Sequence, residues 1–219
     1  MELNRYIDHT LLSPRATERE ILKLCQEAIT YDFYSVCVNS CYVSMAKEAL
    51  KNSRVKVCTV VGFPLGAMST EAKIFEAKNA VDQGASEIDM VLNIGYLKSQ
   101  NYVAVLKDIA DVKRSIGLTP LKVILEISEL SKNEIVRACE ICLDANVEFV
   151  KTSTGFSKSG ATLTAVKIMK KSVRGHIKIK ASGGIRDYET AIKYLDHGAD
   201  RIGASAGVAM MNEKSSKAS

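Results

Sequence analysis

Short runs of apolar and β-branched residues recur eight times along this chain, and a helix-period stretch or a glycine-bearing loop separates each from the next. The runs are Tyr6–His9, Tyr34–Val38, Val55–Val60, Glu87–Val91, Leu121–Ile127, Val147–Lys151, Ile177–Ala181 and Asp200–Ile202. Such alternation builds a parallel sheet, because parallel neighbours need a long crossover and a helix supplies it. Eight strands are the number that closes a (β/α)8 TIM barrel, and 219 residues are near the compact limit for that fold. The alternative is an open doubly wound sheet, which the loss of the polar first run would favour.

The intervening helices are legible from their faces. ATEREILKLCQEAITYD places Ile21, Leu24, Cys25 and Ala28 on one side, and STEAKIFEAKNAVDQGA opens with a Ser-x-x-Glu-like cap. NYVAVLKDIADVKRSIG, KNEIVRACEICLDAN and RDYETAIKYLDHGA repeat the pattern. No Pro/Ser-rich linker divides the chain, so a single α/β domain over 1–219 is expected, with a loose tail from about residue 212.

Composition narrows the function. The formal charge of +5, from 30 basic and 25 acidic residues, is mild and dispersed, which argues against nucleic acid. No apolar run approaches the ~20 residues of a membrane helix. The opening MELNRYIDHTLLSPR has no apolar signal core, so a cytoplasmic protein is expected, with its six cysteines reduced. Cys139 and Cys142 find no second Cys pair or His pair to complete a zinc site, and no metal is expected.

Functional residues in either sheet architecture gather at the carboxyl ends of the strands. There the chain carries Cys37 and Asn39, Asp89, Glu126, Lys151 and Lys180. A lysine ending a strand ordinarily reaches solvent, a lone Asp ordinarily pairs with a cation or an amide, and Cys37 alone reads as a small buried apolar residue. Two lysines and an aspartate at neighbouring strand ends have a more specific use. A free lysine amine has a pKa near ~10.4, so at neutral pH almost none is nucleophilic. A second ammonium ~5 Å away costs the charged form about 3 kcal/mol at an effective dielectric of ~20, roughly two pKa units. A lysine pair therefore reads as a Schiff-base amine and its perturber. Lys178 and Lys180 share one face of their strand, and Lys180, nearer its carboxyl end, is the candidate.

Three loops suit an anion. TSTG follows Lys151, KASGGIRD carries Gly183 and Gly184 towards a helix, and RIGASAG carries Gly203 and Ser205 into the last helix. Glycine-rich turns at helix amino ends leave backbone N–H groups facing a phosphate, although tight βα turns use glycine too. Neither the GxxxxGK[ST] nor the GxGxxG spacing is present.

Together VEFVKTSTGF, IKASGGIR, RIGASAG, VVGFPLGAMSTEAKIFEAKNAV, EIDMVLNIG and LKVILEISEL resemble the deoxyribose-phosphate aldolases, a family of class I aldolases, from about Ile7 to Gly207. The resemblance implies a (β/α)8 barrel without metal or organic cofactor, acting on a small phosphorylated sugar, and suggests a homodimer. It implies Lys151 as the Schiff-base lysine, Lys180 as the second lysine and Asp89 as the proton-relay carboxylate. Gly155, Gly183, Gly184, Gly203 and Ser205 match phosphate-binding positions, while Cys37 and Thr154 match positions lining the pocket. The chain departs from the family pattern at Ile127, Ala206 and Lys178, and its ending KSSKAS carries no tyrosine.

Overall fold

The computed structural model describes residues 2–217. Eight strands form a closed, all-parallel barrel in sequence order: β1 (Ile7–Leu11), β2 (Ser35–Val38), β3 (Lys56–Val61), β4 (Glu87–Val91), β5 (Leu121–Ile124), β6 (Phe149–Lys151), β7 (Lys178–Ser182) and β8 (Arg201–Ala204). β1 pairs with both β2 and β8, which closes the sheet and rules out the open doubly wound alternative. Its sequence signal is thin because IDHTL alternates polar residues that all have partners. Asp8 faces the barrel interior, while His9 faces outward and meets Glu27 at 2.8 Å.

Around the barrel lie α1 (Glu18–Thr30), α2 (Val43–Ala49), α3 (Thr70–Asp82), α4 (Ile94–Lys98), α5 (Tyr102–Ser115), α6 (Lys132–Asp144), α7 (Leu163–Val173), α8 (Tyr188–Asp196) and α9 (Gly207–Lys217). Local chemistry sets their starts. Thr17 and Glu20 form a reciprocal capping box on α1, Ser131 and Glu134 repeat it on α6, and Asp187 caps α8. The face read from the sequence, Ile21, Leu24, Cys25 and Ala28, is the buried face of α1. Where a loose tail is expected from about residue 212, α9 instead continues to Lys217. No helix among the described residues is long and apolar enough to cross a membrane.

Strand ends also differ from expectation in one informative place. The run expected to continue to Ile127 stops at Ile124, because Glu126 takes a left-handed backbone conformation (φ 54°, ψ 66°).

The layer between barrel and helices is largely apolar, but it holds a buried ion pair. Lys73 of α3 and Asp108 of α5 are both fully buried and 2.6 Å apart. Lys73 also donates to the carbonyl of Val91 at the end of β4, and Thr70 donates to the other Asp108 oxygen. The pair thus ties two outer helices to the strand that carries Asp89. Removing one charge leaves the other without compensation in a medium that solvates it poorly. Lys73→Met is expected to lower the unfolding free energy by ~3–5 kcal/mol, and Lys73→Met/Asp108→Leu by clearly less, in urea titrations. Equal losses in the two variants would contradict this account.

Candidate active site

Successive side chains on a strand alternate between the interior and the helices, and the register decides which of them meet inside. Asp89 lies level with Lys122, Ile124 with Lys151, and Lys151 with Lys180, which is level with Arg201. Barrel interiors are ordinarily filled by Val, Ile and Leu. This one is filled by ions: Asp8, Glu87, Asp89, Lys122, Lys151, Lys180 and Arg201 are all buried.

Asp89 is the centre. Its Oδ2 accepts from Lys151 Nζ and Lys180 Nζ, each at 2.8 Å. Its Oδ1 accepts from Lys122 Nζ at 2.9 Å and from Cys58 Sγ at 3.2 Å. Lys180 also ion-pairs with Asp8 at 2.5 Å, and Asp8 accepts from Ser35 at 2.7 Å and Arg201 at 2.8 Å. Glu87 closes the network, 2.7 Å from Lys122 and 3.3 Å from Arg201.

Burial alone would drive these carboxyls towards neutrality, but the neighbouring cations outweigh it. Against that burial, Lys122, Lys151 and Lys180 hold Asp89 well below the usual carboxylate range. Lys180, Arg201 and Lys122 do the same for Asp8. In return, and again against burial, Asp8 and Asp89 hold Lys180 above the ordinary lysine range. Lys180 is therefore a fixed ammonium that shares one carboxylate oxygen with Lys151. The cluster sets Lys122, Lys151, Lys180 and Arg201 against Asp8, Glu87 and Asp89, an excess of one positive charge. Lys151 is paired with Asp89 alone, whereas Lys122 and Lys180 each meet two carboxylates.

Above this floor a cavity of about 400 Å³ opens at the carboxyl ends of the strands. Lys151 lines it. Thr154 and Gly155 come from the loop after β6, Gly183 and Gly184 from the loop after β7, and Gly203 and Ser205 from β8 and the turn into α9. Asp89 and Lys180 do not line it, but Asp89 Oδ2 joins both to Lys151, which does. Cys37 is fully buried, packed with Leu12, Cys58 and Val60. Burial, then a hydrogen bond to Cys37 and the charge of Asp89, push the Cys58 thiol well up, so it remains a donor.

Two glycines have specific steric reasons. A Cβ on Gly203 would stand 2.9 Å from Lys180 Cε, so this position makes room for the lysine as well as lining the cavity. Gly183, at φ 90°, lies against the backbone of Gly160, locking the loops after β6 and β7 together.

Lys178 and Lys180 share a face, and depth separates them. Lys178 is exposed at the amino-end mouth, 5.8 Å from the Phe149 ring centroid, while Lys180 is in the middle of the barrel. Among the described residues Glu126 makes no ion pair, although the charge of Lys151 acts on it from farther off. Its carboxylate accepts from the hydroxyl and amide of Thr154, and burial raises its pKa against those bonds. Asp8, Glu87, Lys122 and Arg201 were not among the residues singled out from the sequence. Lys122 is a charged residue inside the apolar run LKVI, and Glu87 has the same parity as Asp89, but only the register shows that they meet. Arg186 adds an exposed guanidinium to the cavity rim.

Among the described residues, Cys37, Cys58 and Asp89 place three potential metal-donor atoms within 4.8 Å of one another. Asp89 already receives three ammonium groups, and a metal ion there would have to displace them, so the donor set fits an ionic network better than a resident metal. A larger groove, about 680 Å³, lies on the outer surface between α6 and α7, remote from the ionic cluster and lined by solvated side chains such as Lys132 and Glu140.

Three amines thus meet one buried carboxylate, and one of them, Lys151, lines a cavity rimmed by glycine loops. Residues 3–213 match the family model for the DeoC/LacD family aldolases. The chain belongs to this family. Among curated relatives it is 56% identical to deoxyribose-phosphate aldolase of Finegoldia magna, over 95% of this chain and 98% of that protein. It is 51% identical to deoxyribose-phosphate aldolase of Mycoplasma capricolum, over 99% of this chain and 98% of the relative. Among solved structures, the tetrameric deoxyribose phosphate aldolase of Aeropyrum pernix superposes with a TM-score of 0.89 at 32% identity, covering 98% of this chain and 92% of that one. The chain is thus an aldolase, a lyase built on a TIM barrel.

The depressed carboxyls have a consequence for stability. A carboxyl whose folded pKa lies below its unfolded value of ~3.9 stabilises the fold above that pH and ceases to do so as the pH falls through its folded value. Unfolding free energy is therefore expected to fall steadily below about pH 4, and Asp8→Asn to flatten part of that slope. Urea titrations at stepped pH would measure it. A wild-type profile flat down to pH 2 would contradict the ionic description of the floor.

Proposed function

We propose that the chain reversibly cleaves 2-deoxy-D-ribose 5-phosphate to D-glyceraldehyde 3-phosphate and acetaldehyde through an imine on Lys151. The observation that carries this reading is the single Asp89 oxygen shared by Lys151 and Lys180 at equal distances.

Lys151 alone among the buried amines lines the cavity, so it is the one a substrate carbonyl can reach. Loss of its proton also brings the ionic floor to charge balance. The neutral amine adds to C1 of the open-chain sugar, and the carbinolamine loses water to give an iminium. Asp89, with Lys180, acting through water, accepts the C3 hydroxyl proton. The C2–C3 electron pair then moves into the iminium, C3 becomes the aldehyde of glyceraldehyde 3-phosphate, and an enamine remains on Lys151. Protonation of the enamine carbon regenerates an iminium, and water releases acetaldehyde and the free amine.

Lys180 serves as a permanent cation. It supplies a hydrogen-bond donor that stays charged beside the reacting amine. The glycine loops and Ser205 take the phosphate with backbone N–H groups and a hydroxyl, and this remote binding orients the reacting carbons over Lys151. Six free cysteines suit a reducing compartment, consistent with a cytoplasmic enzyme.

Incubation with the sugar phosphate and borohydride should add one reduced adduct, mapped by peptide mass to Lys151. Lys151→Ala should remove both the adduct and turnover, the latter by several orders of magnitude. An adduct on Lys180 would reverse the two lysines, and tight sugar-phosphate binding without any adduct would favour a binding protein. Lys180→Leu should slow the reaction and move its pH–rate profile. A slowed reaction with an unmoved profile would reject an electrostatic role for Lys180 in the reaction.

A further inference from the structure

Five non-glycine residues among those described have positive φ: Asp32, Gln100, Glu126, Asn146 and Arg174. Four of them follow the carboxyl ends of helices α1, α4, α6 and α7, where a left-handed residue commonly terminates the helix. Glu126 alone stands at the end of a barrel strand, two residues beyond β5. A long side chain is strained in this conformation, and such strain persists where the surroundings impose it.

The surroundings do impose it. The backbone on either side of Glu126 is bonded to β6 and the residue after it: Leu125 N donates to Lys151 O at 2.9 Å, and Ile127 N to Thr152 O at 3.0 Å. Between those bonds the chain bulges, and the bulge turns the Glu126 side chain across to the next loop. There the buried carboxylate accepts from the Thr154 hydroxyl and, at 3.4 Å, from the Thr154 amide. Thr154 Oγ1 in turn accepts from Phe156 N at 3.0 Å.

The loop therefore has separate inner and outer anchors, and just beyond the outer one the Ser157 hydroxyl accepts from Ser128 at 2.9 Å and donates to Glu129 at 3.0 Å. Its inner part is tied to β7. Thr152 Oγ1 donates to Ser182 O at 2.9 Å and accepts from Ser182 N at 3.0 Å, while Ser182 Oγ donates to Ser153 O at 2.6 Å. Its outer part, Thr154 to Phe156, lines the cavity and is tied back by Glu126. The Lys151 amine is held by Asp89, and the inner anchor fixes the residues that follow it, so the outer anchor is a distinct set of contacts.

We propose that Glu126 is the positioning residue for the outer loop and thereby sets the preference for a phosphorylated over an unphosphorylated sugar, without taking part in the imine chemistry. This rests on the aldolase reading above. The acceptor oxygens matter in this role more than the charge, since a carboxylate adds nothing favourable to phosphate binding.

Three variants and two sugars test it. Glu126→Gly removes the carboxylate and relieves the backbone, Glu126→Ala removes it and keeps the strain, and Glu126→Gln keeps an acceptor oxygen. For Gly and Ala, KM for 2-deoxyribose 5-phosphate should rise about ten-fold, the equivalent of ~1.4 kcal/mol, with kcat within about two-fold of wild type. Activity on unphosphorylated 2-deoxyribose and borohydride trapping at Lys151 should be unchanged within about two-fold, and Gln should restore most of the KM. Parallel losses on both sugars would overturn the proposal in favour of a general structural role. Failure of Gln to rescue, or no change in Gly, would overturn it too. If wild type cleaves neither sugar, the aldolase reading fails separately. Titration of inorganic phosphate, expected to bind about ten-fold more weakly to Glu126→Gly, then tests Glu126 by itself.

Discussion

The structure depends on a charge balance inside the barrel. Water cannot reach Asp8, Glu87, Asp89, Lys122, Lys180 or Arg201 in any useful amount, and each would be costly to bury by itself. They are tolerated because every carboxylate in the network faces a cation. The arrangement tends towards uniqueness, since a slip of one residue in any strand would turn its ion towards the apolar helical layer and leave its partners unpaired. The ionic floor thereby constrains register as well as chemistry.

Asp89 divides its two oxygens between tasks. Cys58 and Lys122 occupy Oδ1 and hold the carboxylate in place, while Oδ2 faces Lys151 and Lys180. Lys122 is itself set by Glu87, which also meets Arg201. The amine at the cavity is thus positioned by a chain of ionic contacts extending to the opposite strands of the barrel. Preorganisation of this kind lets fixed charges act without rearranging during the reaction. The rim has different physics: glycines, hydroxyls and backbone amides, held by hydrogen bonds between neighbouring loops. The two regions meet at the loop after β6, whose inner and outer halves have different anchors.

Much of this was legible from local pattern. Strand–helix alternation implied the barrel, and the chemistry of VEFVKTSTGF and IKIKASGG marked the lysine pair. Other parts resisted local reading for identifiable reasons. β1 looked weak because its polar residues have partners far away in sequence, Asp8 with Lys180 and Arg201. Lys122 passed unnoticed because a lysine in an apolar run commonly snorkels to solvent. Glu126 gave no local sign of its partner, because its left-handed backbone turns it to Thr154 in the next loop.

By itself, the sequence determined the order and type of the elements, the helix caps and the identity of the candidate nucleophile, because these follow from periodicity, neighbouring side chains and motif chemistry. Tertiary structure decided which ions share the interior, that Lys180 rather than Lys178 meets Asp89, and that Cys37 packs with Leu12, Cys58 and Val60 while Gly203 gives way to a lysine. Those outcomes depend on barrel closure and strand register, which bring residues as distant as Asp8 and Arg201 within 2.8 Å. Pairings across the barrel are long-range, and local patterning cannot select among them until the sheet has closed.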